Sequence, residues 1–195
     1  MTSPGLLSFE DFERLPESPG KQELLDGELI ELPPAKQRHM AIAKKFQKLL
    51  ETVLDGSRVW FETGFQIRSG WLVPDISATW PDQQVVNDYF QNGPMIAVEV
   101  ESPGNTAEEL DRKVIAYLQD GAGEVWVVYP RTSSMLVHSR LARVVRFMSS
   151  SYPGPWWGGR PRRRGGPCLR CFKLDKELLE TGTLPFADLS KSMGQ

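Results

Sequence analysis

At 195 residues, with 40% hydrophobic and 25% charged residues, the chain suffices for one domain with a real core and is too mixed for a disordered or fibrous protein. Its net charge of -2 argues against a basic nucleic-acid coat, although an enzyme that holds metal through carboxylates and releases its product can act on nucleic acid and still be acidic. Two cysteines exclude a disulfide framework, no apolar run approaches the ~20 residues of a membrane span, and "MTSPGLLSFEDFERL" lacks the basic and apolar regions of a signal peptide, so the expectation is a soluble, cytoplasmic protein with no membrane partner.

In chain order, Ser8 with Asp11 three residues on approximates a capping box and predicts a short helix to about Leu15, stopped by Pro16. "QELLDGELIEL" places Asp26-Gly27 between two leucine-rich runs, a hairpin signal closed by Pro33-Pro34. From Ala35 to about Leu54 the period becomes helical: Ile42, Phe46, Leu49, Leu50 and Val53 form one apolar stripe, with His39 at its start and tending to point inward. Lys36, Lys44 and Lys48, with Arg38 and Lys45 beside them, lie on another face, which suits either phosphate contacts or a solvated surface.

"RVWFETGFQIR" and "WLVPDISATW" predict two strands joined near Ser69-Gly70, followed by a loop from Pro81 to Gly93 and a strand in "MIAVEVESPGN". "NTAEELDRKVIAYLQDG" predicts a second amphipathic helix ending at Gly121, "EVWVVYP" a buried strand, and "SMLVHS" with "ARVVRFM" a closing hairpin. This order predicts an α/β fold with a mixed β-sheet flanked by helices over residues 1–148. Residues 149–195 form a separate, irregular Gly/Pro/Arg-rich segment and tail. That segment is either an insertion without fixed structure, including one read out of frame, or a basic arm in which Arg162, Arg163 and Arg164 meet phosphates and Trp156 and Trp157 stack on bases. The lone pair Cys168 and Cys171 is weak evidence for zinc.

The chemistry concentrates in acids placed in apolar strands. An unpaired buried carboxylate costs several kcal/mol, so such residues call for a cation, a proton or a hydrogen-bond network. By strand alternation Glu99 and Glu101 share a face, roughly 6.6 Å apart, while Ile96, Val98 and Val100 take the other. Asp75 stands between Pro74 and Ile76, and if its strand pairs with that of Glu99 the acids converge. Two or three such carboxylates, Asp75, Glu99 and Glu101, suit a hard cation such as Mg2+ or Mn2+, which polarises a phosphodiester and acidifies a water. Lys113, flanking the apolar face of the second helix, is the candidate cation for orienting the nucleophile and offsetting charge. Blander readings remain for each: a solvated Glu101 at a strand end, a snorkelling Lys113 and a turn acid at Asp75.

The ordered set "QELLDGELIEL", Pro34 with His39, "VPDIS", "AVEVESP", Lys113 with Tyr117, and "GAGEVWVVYP" resembles the Uma-type restriction endonuclease family, within the PD-(D/E)XK nuclease superfamily, from about Leu7 to Phe147. The resemblance implies a restriction-endonuclease-like fold and metal-dependent hydrolysis of phosphodiester bonds in DNA. It matches Asp75 to the family's Pro-Asp motif, Glu99 to the acid of the second motif and Lys113 to a lysine on the following helix. Glu101 stands where the wider superfamily has its lysine. Glu23 matches a glutamate of the first hairpin, a further metal or water ligand, and His39 matches a histidine at the start of the long helix. Tyr129 stands where the family more often has aspartate.

Other readings stay open. One is a nuclease fold that has lost its chemistry and serves as a nucleic-acid or protein binding module; another is a glycosidase using paired carboxylates. A homodimer would let a nuclease reach both strands of a duplex.

Overall fold

The computed structural model describes residues 5–16 and 18–139, and the backbone of 142–149. The segment expected to be irregular, with its arginines, tryptophans and two cysteines, lies outside the described residues from 150 onward.

Helix α1 (Phe9–Glu13) is closed at its start by the expected capping box between Ser8 and Asp11. Strands β1 (Lys21–Leu25) and β2 (Glu28–Leu32) form the expected hairpin; Asp26 and Gly27 take φ of 53° and 81°, the left-handed pair that a two-residue turn between twisted strands requires. Helix α2 (Gln37–Val53) buries Ile42, Ala43, Phe46, Leu49 and Leu50 along its stripe.

The two strands expected next are four: β3 (Val59–Phe61), β4 (Phe65–Ile67), β5 (Gly70–Leu72) and β6 (Ile76–Ala78). The breaks have local causes. Glu62 adopts a left-handed φ of 44°, and Pro74 has no N–H to extend a ladder. The stretch expected as a loop from Pro81 to Gly93 contains a small hairpin, β7 (Val85–Val86) and β8 (Tyr89–Gln91), turned by Asn87 and Asp88 at φ of 50° and 70°. Strand β9 (Ile96–Val100), helix α3 (Ala107–Gln119), strand β10 (Glu124–Tyr129) and the hairpin β11 (Ser134–Ser139) with β12 (Ala142–Ser149) complete the order.

The single mixed sheet of the sequence reading resolves into two. A central sheet runs β12-β11-β10-β9-β6-β3, and a second runs β2-β1-β5-β4-β8-β7. The chain crosses between them at Glu62 and Pro74, leaving β3 and β6 in the central sheet and β4 and β5 in the second. In the central sheet β9 and β10 are parallel, with α3 as the crossover.

The central sheet is covered on both faces, which explains its nearly unbroken apolar strands. Ile96, Val98 and Val100 of β9, with Trp126 and Val128 of β10, pack on Phe46 and Leu50 of α2. The alternate residues Ala97, Val125 and Val127 join Leu110, Val114 and Tyr117 of α3 and Leu25, Phe65 and Leu72 of the second sheet. Glu99 follows the alternation of Ala97 and is therefore sent into this second layer, between sheet and helix. Among the described residues no helix is long and apolar enough to cross a membrane.

Candidate active site

Four elements bring polar side chains to one end of this second layer, joined there by His39 from α2. Strand β1 contributes Lys21 and Glu23, which share a face two residues apart. Asp75 precedes β6, β9 carries Glu99, and α3 carries Lys113 and Tyr117. Because Ile76 of β6 pairs with Val98 of β9, Asp75 arrives beside the Glu99–Val100 peptide, and its Oδ2 accepts the Val100 N–H at 2.7 Å.

Lys113 lies between two buried acids, 2.7 Å from Glu99 Oε1 and 3.0 Å from Glu23 Oε1. The same Glu23 oxygen accepts the Val73 N–H at 2.9 Å, while Glu23 Oε2 is buried without a hydrogen-bond partner among the described residues. Tyr117, one helical turn beyond Lys113, donates its hydroxyl to Glu99 Oε1 at 3.1 Å. On the Asp75 side, Lys21 Nζ and His39 Nε2 both reach Oδ1 at 3.1 Å, and Lys21 also donates to the Val73 carbonyl at 2.8 Å. Facing a carboxylate, the His39 ring carries its proton on Nε2, and Nδ1 is buried without a partner among the described residues.

The two central acids are pushed in opposite directions. Burial alone would raise Asp75, but the His39 hydrogen bond, the Lys21 charge and the Val100 N–H outweigh it and hold Asp75 well below the ordinary carboxylate range. For Glu99 burial wins: with Asp75 and Glu23 adding negative charge and Lys113 opposing, it is raised to about 7. Burial works against the charge on Lys113, yet Glu23 and Glu99 more than compensate and raise its pKa above the ordinary lysine value. Tyr117 is raised well above the ordinary phenol value by burial and then by Glu99, so it acts as a donor.

The cluster forms the floor of a groove of about 890 Å³. Lys36, Arg38 and Arg131 line it and are exposed, whereas Lys44 and Lys48, on the same helix face in the sequence reading, are exposed but do not line it. Of the residues singled out from sequence, Asp75, Glu99, Lys113 and His39 line this groove, and Glu23 is fully buried against Lys113. Glu101 lines the groove, half-exposed past the end of β9, and Tyr129 packs partly buried beside the second apolar layer. Sequence reasoning did not place Lys21 or Tyr117 in the site. Lys21 was legible through its two-residue spacing from Glu23, and Tyr117 through its four-residue spacing from Lys113.

The donor chemistry fits a hard divalent cation that keeps most of its waters. Asp75 and Glu99 both line the groove, and Mg2+ is ordinarily held by one or two carboxylates completed by water and substrate oxygens. A closed protein cage is absent: among the described residues no three His, Cys, Asp or Glu side chains gather so as to hold an ion. The structure therefore brings Asp75 and Glu99 together and does not add Glu101 to them.

Comparison with known proteins bears on the family and the fold. The family model Uma2, described as "Putative restriction endonuclease", matches residues 9–150. A crystal structure of a "putative nuclease" of the DUF820 group from Anabaena variabilis superposes with a TM-score of 0.66 over 76% of this chain and 89% of that one, at 19% sequence identity. That likeness establishes the nuclease-like fold. The search of curated proteins finds no match.

Proposed function

The chain belongs to the Uma2 family, and from that premise we propose that it is a metal-dependent endodeoxyribonuclease that hydrolyses phosphodiester bonds in DNA at Asp75 and Glu99. The observation that carries this reading is that Asp75, just before β6, and Glu99, on the neighbouring β9, line one groove, each held by its own lysine.

Mg2+ or Mn2+ held by Asp75 and Glu99 would supply Lewis-acid charge to the phosphodiester and acidify the attacking water. The chain's own residues prepare that site. Val100 N–H and His39 fix the plane of the Asp75 carboxylate, so its oxygens need little reorganisation. Lys113 and Tyr117 converge on one oxygen of Glu99 and lock its rotamer, with Glu23 anchoring Lys113 from beneath. Leu32, Pro33, Met40 and Ile42 line the groove and limit the water around the reacting phosphate. Lys36, Arg38 and Arg131 offer positive charge to neighbouring phosphates. The superfamily lysine replaced by Glu101 is compensated in position by Lys113, which bonds Glu99 from the helix.

The test is incubation of the full chain with supercoiled plasmid and with single-stranded DNA, in Mg2+, in Mn2+ and in EDTA. Cleavage with either metal and none with EDTA is expected. No cleavage together with no calorimetric Mn2+ binding would overturn the proposal in favour of a binding module that has lost its chemistry.

A further inference from the structure

Two ammonium groups stand at the floor of the groove, and their surroundings differ in a way that separates their roles. Lys113 spends two donors on two buried carboxylates, and its side chain is 5% exposed. Were it to turn toward a substrate, Glu99 would lose its cation and Glu23, one of whose oxygens has no partner among the described residues, would keep only the Val73 N–H among them. Leaving buried carboxylates uncompensated is strongly unfavourable.

Lys21 is held more lightly. Its side chain is 19% exposed, and its partners are one carboxylate and one neutral carbonyl. When Lys21 turns away from Asp75, that carboxylate retains His39 on Oδ1 and the Val100 N–H on Oδ2. Its third N–H has no partner among the described residues. The backbone beneath it is fixed: Lys21 pairs with Leu32, and Gly20 approaches the Leu32 carbonyl so closely that a Cβ there would collide with it. The strand therefore graduates from core to groove, Leu25 and Glu23 fully buried and Lys21 reaching the solvent side.

We infer that Lys21 is the floor cation that binds a backbone phosphate of the nucleic acid, whereas Lys113 is a positioning residue that acts through Glu99. The inference rests on the DNA reading above and goes beyond it by assigning the substrate-facing charge to the hairpin rather than to α3. Lys36, Arg38 and Arg131 on the groove walls meet flanking phosphates, and Lys21 meets the one nearest Asp75.

The experiment measures binding without catalysis: fluorescence anisotropy of a fluorescein-labelled 20-base-pair DNA duplex, in EDTA, from low to moderate KCl, with thermal melts of every variant. Lys21→Gln keeps a donor for the Val73 carbonyl and removes the charge; Lys21→Met is the second variant, and Lys44→Gln is a control for an exposed lysine outside the groove. The expected result is a drop of about one in the slope of log affinity against log salt for both Lys21 variants, as for loss of one phosphate contact, with the slope unchanged in Lys44→Gln. A wild-type slope in folded Lys21→Gln would overturn the assignment while the DNA reading stood. Failure of both Lys21 variants to fold would overturn it as well, placing Lys21 in the scaffold. Absence of binding by the wild-type chain would overturn this inference and the reading beneath it together.

Discussion

Asp75 and Glu99 show how two carboxylates lining one groove acquire different chemistry from their neighbours. Asp75 has three donors and stays ionised, whereas Glu99, raised to about 7 mainly by burial, changes charge near neutrality. A group whose folded pKa lies above its ordinary 4.5 binds its proton more tightly in the folded state, so its contribution to stability is complete below about 4.5 and is lost as pH rises through about 7. Glu99→Gln removes that contribution: in metal-free buffer the melting temperature of the variant relative to wild type should rise between pH 5 and pH 8. A constant difference across that window would show that Glu99 does not titrate there. Lys113→Met tests the other half of the cluster. It strands Glu99 and Glu23 in the interior, at a cost of about 3–5 kcal/mol, and should lower the melting temperature by roughly 10 °C. A shift of a degree or two would mean that the ion triad is looser than its distances imply.

At the scale of elements, α3 matters as the carrier of Lys113 and Tyr117, and its start is set by a reciprocal cap. Thr106 Oγ1 accepts the Glu109 N–H at 3.1 Å, and Glu109 returns a carboxylate to the Thr106 N–H at 2.8 Å. Thr106→Ala should cost about 1 kcal/mol, a fall of roughly 2–4 °C in melting temperature, with cleavage at 25 °C retained because the packed face of the helix is untouched. Loss of cleavage in a folded Thr106→Ala would show that the cap itself sets the lysine. The long helices and the Asp26-Gly27 hairpin were legible in the sequence because a 3.6-residue stripe and a turn dipeptide are local signals. The division of the middle strands was not, because a single left-handed Glu62 and the backbone gap at Pro74 decide which sheet each three-residue strand joins. The β7–β8 hairpin, with strands of two and three residues, has too few positions to show an alternation.

For the whole molecule, the fold class was legible in the order of the elements and Glu23 and His39 in the family resemblance, whereas Asp75 and Glu99 stood out as residues that violate their surroundings, acids in apolar strands. Lys21 escaped that logic because a lysine at the first position of a strand violates nothing. Tyr117 escaped it because a tyrosine on an apolar helix face is satisfied as core, and only its hydroxyl partner gives it a role. Glu101 shares the face of Glu99 by alternation, yet β9 ends at Val100 and leaves it half-exposed in the groove. Two sheets and α3 converge on one polar cluster, which we propose to be a hydrolytic centre. The most direct test compares wild-type and Glu99→Gln protein, matched by thermal melts for folding, in nicking of supercoiled plasmid at saturating Mg2+. Metal-dependent nicking by the wild type and its loss in the variant are expected; full activity in folded Glu99→Gln would show that the hydrolytic centre lies elsewhere.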